Sequence, residues 1–297
     1  MSHKIFVHIG LPKTATTSLQ TDFFPKLEDG EIKYFGVVQP RHTPVQSELY
    51  RAFLKATGGR GDLAGLRESL LRILERETVI LSEELILVSW HWITWKEKLA
   101  NLKKILDGLD YEIVVTVREP ASALFSYYCE IFPRLGADRS SFLDCALQNE
   151  ALQIFHYNKL ISELARHFSR ERLHFFKYEE LITNNTRDLI QLLAGAKPKK
   201  LDIHLGNHNQ RSKDQAYVST PNYFTAADLI LRVFPSLSPS GGNSPPSKTL
   251  ARLLKLTRNL RLSRIRINIP EPHVMNQLRE SLREDNRTLD QWFGLKY

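Results

Sequence analysis

Two cysteines in 297 residues, Cys129 and Cys145, are too few for a disulfide framework or a thiolate metal cage, and they point to a reducing cytoplasm. No run of about 18 uncharged apolar residues is there to span a bilayer. The opening "MSHKIFVHIG" enters strand pattern at once, with an apolar run too short for a signal peptide and no small-residue cleavage site. Acidic residues are missing altogether between Leu229 and Pro270, where Arg232, Lys248, Arg252, Lys255, Arg258, Arg261, Arg264 and Arg266 are basic. Those eight charges equal the formal net charge of +8, so the rest of the chain is neutral and the basicity belongs to one segment. A nucleic-acid coat spreads its charge more widely, and no nucleic-acid partner is expected.

The basic segment itself has two readings. Leu250, Leu253 and Leu254 have helical spacing, which predicts a basic helical segment over 248–268 with its arginines on a solvated face. Alternatively, such a helix is drawn to an anionic acceptor or makes a peripheral contact with an acidic inner membrane surface. Just before it, "SLSPSGGNSPPSK" is rich in Pro, Gly and Ser and predicts a flexible loop around 236–248.

Elsewhere, β-branched and aromatic runs alternate with helical patterns. "KIFVHIG", "IKYFGVV", "TVILSEE", "YEIVVTVRE" and "RLHFFKYEEL" read as strands, separated by stretches such as "LAGLRESLLRILER" and "PASALFSYYCEIF". This βαβα order predicts a single α/β domain over 1–297, with a doubly wound, largely parallel sheet flanked by helices. Ligands of such sheets bind beyond the carboxyl ends of the strands. Val274, Leu278, Leu282 and Leu289 predict a C-terminal helix packed back on the core.

The first strand runs into "HIGLPKTATTSLQ". Gly10 suits a tight turn, Thr14 to Thr17 would present successive N–H groups at a helix start, and Lys13 brings a mobile cation. The hydroxyls of Thr16, Thr17 and Ser18 are further donors. The nucleotide-triphosphatase loop needs G-x-x-x-x-G-K-[ST]. Here the lysine comes three residues early, Thr16 stands in its place, and the third and fourth strands close on Ser82–Glu83 and Arg118–Glu119 rather than on a magnesium-binding Asp. The loop reads as a P-loop-like cradle for a phosphate-like group without a metal.

"PKTATTSLQ" resembles the 5′-phosphosulfate loop, P-K-[TS]-[GA]-T-[TS], of the sulfotransferases that use 3′-phosphoadenosine 5′-phosphosulfate. "VTVREPASALFSYY" is similar to the family's second signature, a strand-end Arg followed eight residues later by a Ser, here Arg118 and Ser126, although the family more often has Asp or Asn before the Pro. "ILSEELI" resembles its S-S-E-x-L segment, "HNQRS" its nucleotide-closing loop, and "REDNRTLDQWFGL" the C-terminal helix of bacterial, carbohydrate-type members. The resemblance implies a sulfotransferase with that donor as co-substrate and no metal. Lys13, Thr14, Ala15, Thr16, Thr17 and Ser18 would hold its 5′ side, Arg118 and Ser126 its 3′-phosphate, and Arg211 the closing loop. Lys13 would be catalytic, and Glu83 the general base, with Glu84 and His91 as alternatives.

The acceptor would be a hydroxyl, less readily an amine, of a carbohydrate or glycolipid, anionic ones included. The aromatic stretch "SWHWITW" either packs in the core or offers faces to a sugar, and Tyr127 either packs between helices or stacks on adenine. Two rival readings use the same residues. One is a metal-dependent kinase, and the other a non-catalytic binder of anionic glycan or nucleic acid.

Overall fold

The computed structural model describes residues 3–28, 31–39, 41, 45–90, 92–132, 135, 141–183, 186–194, 205, 217–233, 256–257 and 260–297. Five strands form one sheet: β1 (Ile5–His8), β2 (Ile32–Tyr34), β3 (Thr78–Ser82), β4 (Tyr111–Val117) and β5 (Leu173–Lys177). Their order is β2-β3-β1-β4-β5, and every pairing is parallel, with Phe6 opposite Ile80 in β3 and Glu112 in β4. All four residues of β1 are buried, because helices cover both faces of a central parallel strand. One face packs Phe6, Ile80 and Val114 against Leu19, Phe23, Phe24 and Leu27 and against Leu181, Leu189, Ile190 and Leu193. The fold is α/β with a doubly wound parallel sheet, as the alternating pattern predicts.

The helices start where short polar side chains can take orphan N–H groups. Ser47 caps α2 (Glu48–Thr57), Asp62 caps α3 (Leu63–Leu74), and Thr94 with Glu97 forms a capping box on α4 (Trp95–Leu106). In α5 (Pro120–Ile131) proline takes the first position, and Glu119 accepts from the N–H groups of Ala121 at 3.3 Å and Ser122 at 2.8 Å. The C-terminal pattern, read as one helix, divides into Pro272–Ser281 and Arg283–Phe293. Leu278, Leu282 and Leu289 are nonetheless buried as expected.

The chain forms two compact units. The first holds the sheet and comprises Met1–Ala123, Gln153–Gln210 and Arg279–Tyr297; the second comprises Leu124–Leu152 and Arg211–Leu278. Within the second, Phe142 packs edge-on against Phe125 and Tyr128 at 5.2 and 5.0 Å. There too β6 (Tyr217–Thr225) pairs antiparallel with β7 (Arg261–Asn268), with an irregular register between Ser219 and Tyr223, around Pro221, which has no N–H to donate. Helix is therefore the wrong reading for the end of the basic segment: "RLSRIRIN" alternates apolar and basic residues, a two-residue period that suits the strand it forms. Lys248, Arg252, Lys255, Arg258 and the 236–248 loop lie outside the described residues. Among those described, no helix is long and apolar enough to cross a membrane.

Candidate functional site

From β1 the chain crosses toward β3 and β2, and from β4 it turns toward β5. The carboxyl ends of β1 and β4 therefore flank the point where the winding reverses, the place where open α/β sheets bind ligands. The loop after β1 starts at this point. Ile9 and Leu11 donate to the carbonyls of Val114 at 2.9 Å and Thr116 at 3.3 Å, laying the loop along the end of β4.

Gly10 is needed for space, not for an unusual φ: a Cβ there would stand 2.6 Å from Thr116 Oγ1 and 2.8 Å from the His8 ring. The left-handed positions are Lys13, at φ 70°, and Ala15, at φ 60°. Each costs about 1–2 kcal/mol for a residue with a Cβ, and such strain gathers where a ligand is held. Thr14, fully buried, holds the loop in place. Its Oγ1 donates to Leu11 O at 2.6 Å and shares a 2.8 Å hydrogen bond with Thr116 Oγ1. Thr16 Oγ1 also donates to Leu11 O, at 3.2 Å.

Without a bound ligand, the carbonyl of Leu11 engages the Thr16 hydroxyl. Thr17 is half-buried, Ser18 is buried, and Ala15 supplies no side-chain cap to the helix starting at Thr16. A turn with two left-handed residues, followed by a helix start without a side-chain cap, is a local arrangement that suits an anion.

Beneath the loop runs a buried polar chain. His8 Nδ1 pairs with Ser82 Oγ at 2.8 Å and its Nε2 with Thr116 Oγ1 at 3.2 Å, while Gln20 donates to Ser82 Oγ at 3.1 Å. Burial pulls the His8 imidazole down to about 3, so it is neutral at physiological pH. The chain ties the ends of β1, β3 and β4 together through hydroxyls that can donate or accept.

Arg118 follows β4 and turns toward the loop. Its Nη1 donates to the carbonyl of Lys13 at 3.2 Å, and its guanidinium lies over the Tyr178 ring, 4.5 Å from the centroid. Tyr157 grips the backbone of Arg118 from both sides: its hydroxyl accepts from the N–H at 3.2 Å and donates to the carbonyl. Burial raises the Tyr157 phenol above its ordinary range, so it stays protonated. Ser126 is half-buried in the second turn of α5, and Tyr127 is buried, in line with packing.

Glu83 follows β3 and is fully buried. Its Oε2 accepts from Arg41 Nη1 at 2.5 Å and from the Tyr50 hydroxyl, and its Oε1 accepts from Leu85 N–H at 2.7 Å, capping a 3-10 turn. Glu84 does not point to the opposite side, as an extended chain would have it, because the chain turns at that residue. Its Oε1 takes the other end of the same guanidinium at 3.1 Å. Burial works against the Arg41 charge, but Glu83 outweighs it and holds the guanidinium above its usual range. Burial first, and then the charge of Glu83, push the Tyr50 phenol up as well.

The structure thus joins Lys13 with Arg118 and Glu83 with Glu84. His91 and Arg211 lie outside the described residues. Arg41, Tyr50, Tyr157 and Tyr178 were not legible in the sequence, since none has a spacing relation to the motif it supports. A surface depression lined by Leu63, Arg67, Lys103, Lys104 and Asp107 shares no residue with this site.

No protein-family description and no curated protein matches the chain. Among solved structures, a sulfotransferase from Alicyclobacillus acidocaldarius is 13% identical with a TM-score of 0.46, covering 100% of this chain and 98% of that one. The sulfotransferase domain of the Synechococcus PCC 7002 olefin synthase is 14% identical, with a TM-score of 0.41 and 94% of each chain covered. Mouse sulfotransferase SULT7A1, solved with PAP, is 16% identical with a TM-score of 0.36, covering 67% of this chain and 61% of that one. At these scores the likenesses carry no argument, and the fold rests on the strand order and register above.

Proposed function

We propose that this chain is a sulfotransferase of the bacterial, carbohydrate-type kind, moving a sulfuryl group from 3′-phosphoadenosine 5′-phosphosulfate to a hydroxyl, less readily an amine, of a carbohydrate or lipid-linked acceptor. The observation that supports it is the meeting of two motifs at the switch point: Arg118 Nη1 reaches the Lys13 carbonyl at 3.2 Å across 105 residues of sequence. A strained, lysine-bearing anion loop beside a strand-end arginine suits a nucleotide with phosphate groups at two positions.

In this reading the donor supplies an activated sulfur, and the protein supplies position and charge. Loop N–H groups from Thr14 to Ser18 and the Thr17 hydroxyl hold the 5′ phosphate, and Lys13 meets the charge that grows on it as its bond to sulfur breaks. Arg118 and Ser126 hold the 3′-phosphate, with Arg211 on the closing loop. Glu83 takes the acceptor's proton as the new oxygen–sulfur bond forms. To do so, Arg41 moves wholly onto Glu84, which leaves Glu83 Oε2 with Tyr50 as its one remaining donor and a lone pair for the acceptor's proton; Glu84 and His91 are the alternative bases.

Calorimetry tests the reading. The chain should bind adenosine 3′,5′-bisphosphate without metal and be indifferent to ATP with Mg²⁺. Preference for ATP with Mg²⁺ would return the fold to the kinase reading, and binding of neither would leave only a non-catalytic one.

A further inference from the structure

Beyond the 3-10 turn after Glu83 the chain carries two tryptophans that the donor chemistry does not use. Trp90 and Trp92 are 38% and 41% exposed and meet edge to face, with centroids 4.6 Å apart. Leaving two neighbouring indoles about two-fifths exposed forgoes part of the burial gain that a side chain of this size offers. The turn that holds them is well braced. Trp90 N–H donates to Ile93 O at 2.8 Å, Ile93 N–H returns to Trp90 O at 3.1 Å, and Trp95 N–H donates to Ser89 Oγ at 3.1 Å. Thr94 then opens α4 with its capping box.

Lys98 braces the 3-10 turn that precedes the tryptophans. Its Nζ donates to Leu85 O at 2.8 Å and Val88 O at 2.7 Å, and stands 4.8 Å from the Trp90 ring centroid. One buried ammonium thus fixes both the turn that follows Glu83 and the first indole.

A cation completes the group. The exposed Arg60 guanidinium lies 4.6 Å from the Trp92 centroid, and among the described residues no carboxylate pairs with it. Its loop is held too: Arg60 N–H donates to Lys55 O at 2.9 Å, and the left-handed Gly59 sits against Ile93 and Asn101.

We propose that Trp90, Trp92 and Arg60 form a binding subsite for an anionic carbohydrate. The C–H face of a pyranose lies on indole, and its carboxylate or sulfate pairs with Arg60. A lipid surface fits less well, because the neighbouring Ile93 is buried and adds no apolar area to the indole pair. Only the role of the bound sugar as acceptor rests on the sulfuryl-transfer reading; its binding does not.

The test is calorimetry of the full chain with hexagalacturonate, maltohexaose and phosphatidylglycerol-containing vesicles. Hexagalacturonate should bind about tenfold more tightly than maltohexaose, and Trp90→Ala or Trp92→Ala should each weaken it about tenfold. Arg60→Gln should bring the ratio of the two sugars near one while leaving maltohexaose binding unchanged. Trp90→Phe and Trp92→Phe, which keep a ring, should retain most of the binding and guard against misfolding of the alanine variants.

Sugar binding indifferent to both tryptophans, a sugar ratio unmoved by Arg60→Gln, or vesicle binding without sugar binding would each overturn the proposal. Adenosine 3′,5′-bisphosphate titrated into the same samples separates the two ideas. Nucleotide binding without sugar binding sinks the subsite alone. Tryptophan-dependent sugar binding without nucleotide binding upholds the subsite and sinks sulfuryl transfer.

Discussion

Glu83 and Arg41 meet at 2.5 Å, with the carboxylate fully buried and its second oxygen capping the following turn. The residue cast as general base is therefore also a structural anchor, and the two roles separate by experiment. Arg41→Met strands a buried carboxylate, which costs about 3–5 kcal/mol. Arg41→Met with Glu83→Gln should recover much of that loss. A urea-denaturation double-mutant cycle checks it, and simple additivity would mean that the pair is not coupled.

Catalysis by Glu83 makes a separate demand. Glu83→Gln keeps the shape and most hydrogen bonds but cannot accept a proton, so turnover should fall about 100- to 10,000-fold. Bisphosphate binding should persist. A comparable loss in Glu84→Gln or His91→Ala, with Glu83→Gln active, moves the base to that residue.

For the donor loop, Lys13→Ala should lower turnover about 100- to 1,000-fold, as loss of an oxyanion donor does, with little change in bisphosphate affinity. Arg118→Ala should weaken adenosine 3′,5′-bisphosphate by about 1.5–3 kcal/mol per lost charged hydrogen bond and barely affect adenosine 5′-monophosphate. Equal losses for the two nucleotides would reduce Arg118 to a brace on the Lys13 carbonyl.

The loop's backbone predicts opposite outcomes for two small substitutions. Gly10→Ala drives a methyl into Thr116 and His8 and should destabilise the fold by about 1–3 kcal/mol. Ala15→Gly relieves a left-handed residue and should be neutral or stabilising by up to about 1 kcal/mol, because the added freedom of the unfolded chain offsets part of the gain. Melting temperatures of the two variants decide it.

His8 sets an acid limit on stability. Its folded pKa, held by burial at about 3, lies below the unfolded value of 6.5, so below pH 6.5 the unfolded chain binds a proton that the folded chain refuses. Stability should therefore fall through this residue by up to about 1.4 kcal/mol per pH unit between 6.5 and 3, and not at all above that window. His8→Gln, neutral throughout, should flatten the fall whatever its stability at pH 7. Parallel urea midpoints at pH 7, 5.5 and 4 for both proteins would dismiss the effect.

Much of this protein is written locally, and that part was legible. Parallel strands buried on both faces must be apolar in succession, so "KIFVHI", "TVILS" and "YEIVVTV" announce themselves, as do the helical stretches "LAGLRESLLRILER" and "PASALFSYYCEIF". The period of side-chain direction misled where two patterns overlap: leucines at helical spacing hid the strand at Arg261–Asn268, whose alternation is satisfied only by its pairing with Tyr217–Thr225.

The lysine loop and the strand-end arginine are likewise visible as types and spacings, because each lies within one turn of a local element. Only the tertiary structure decided what surrounds them. Tyr157 on Arg118, Arg41 on Glu83 and His8 between Ser82 and Thr116 join residues 39 to 108 positions apart. A buried charge or donor needs a partner but sets no sequence separation for it, so packing alone selects which partner it finds.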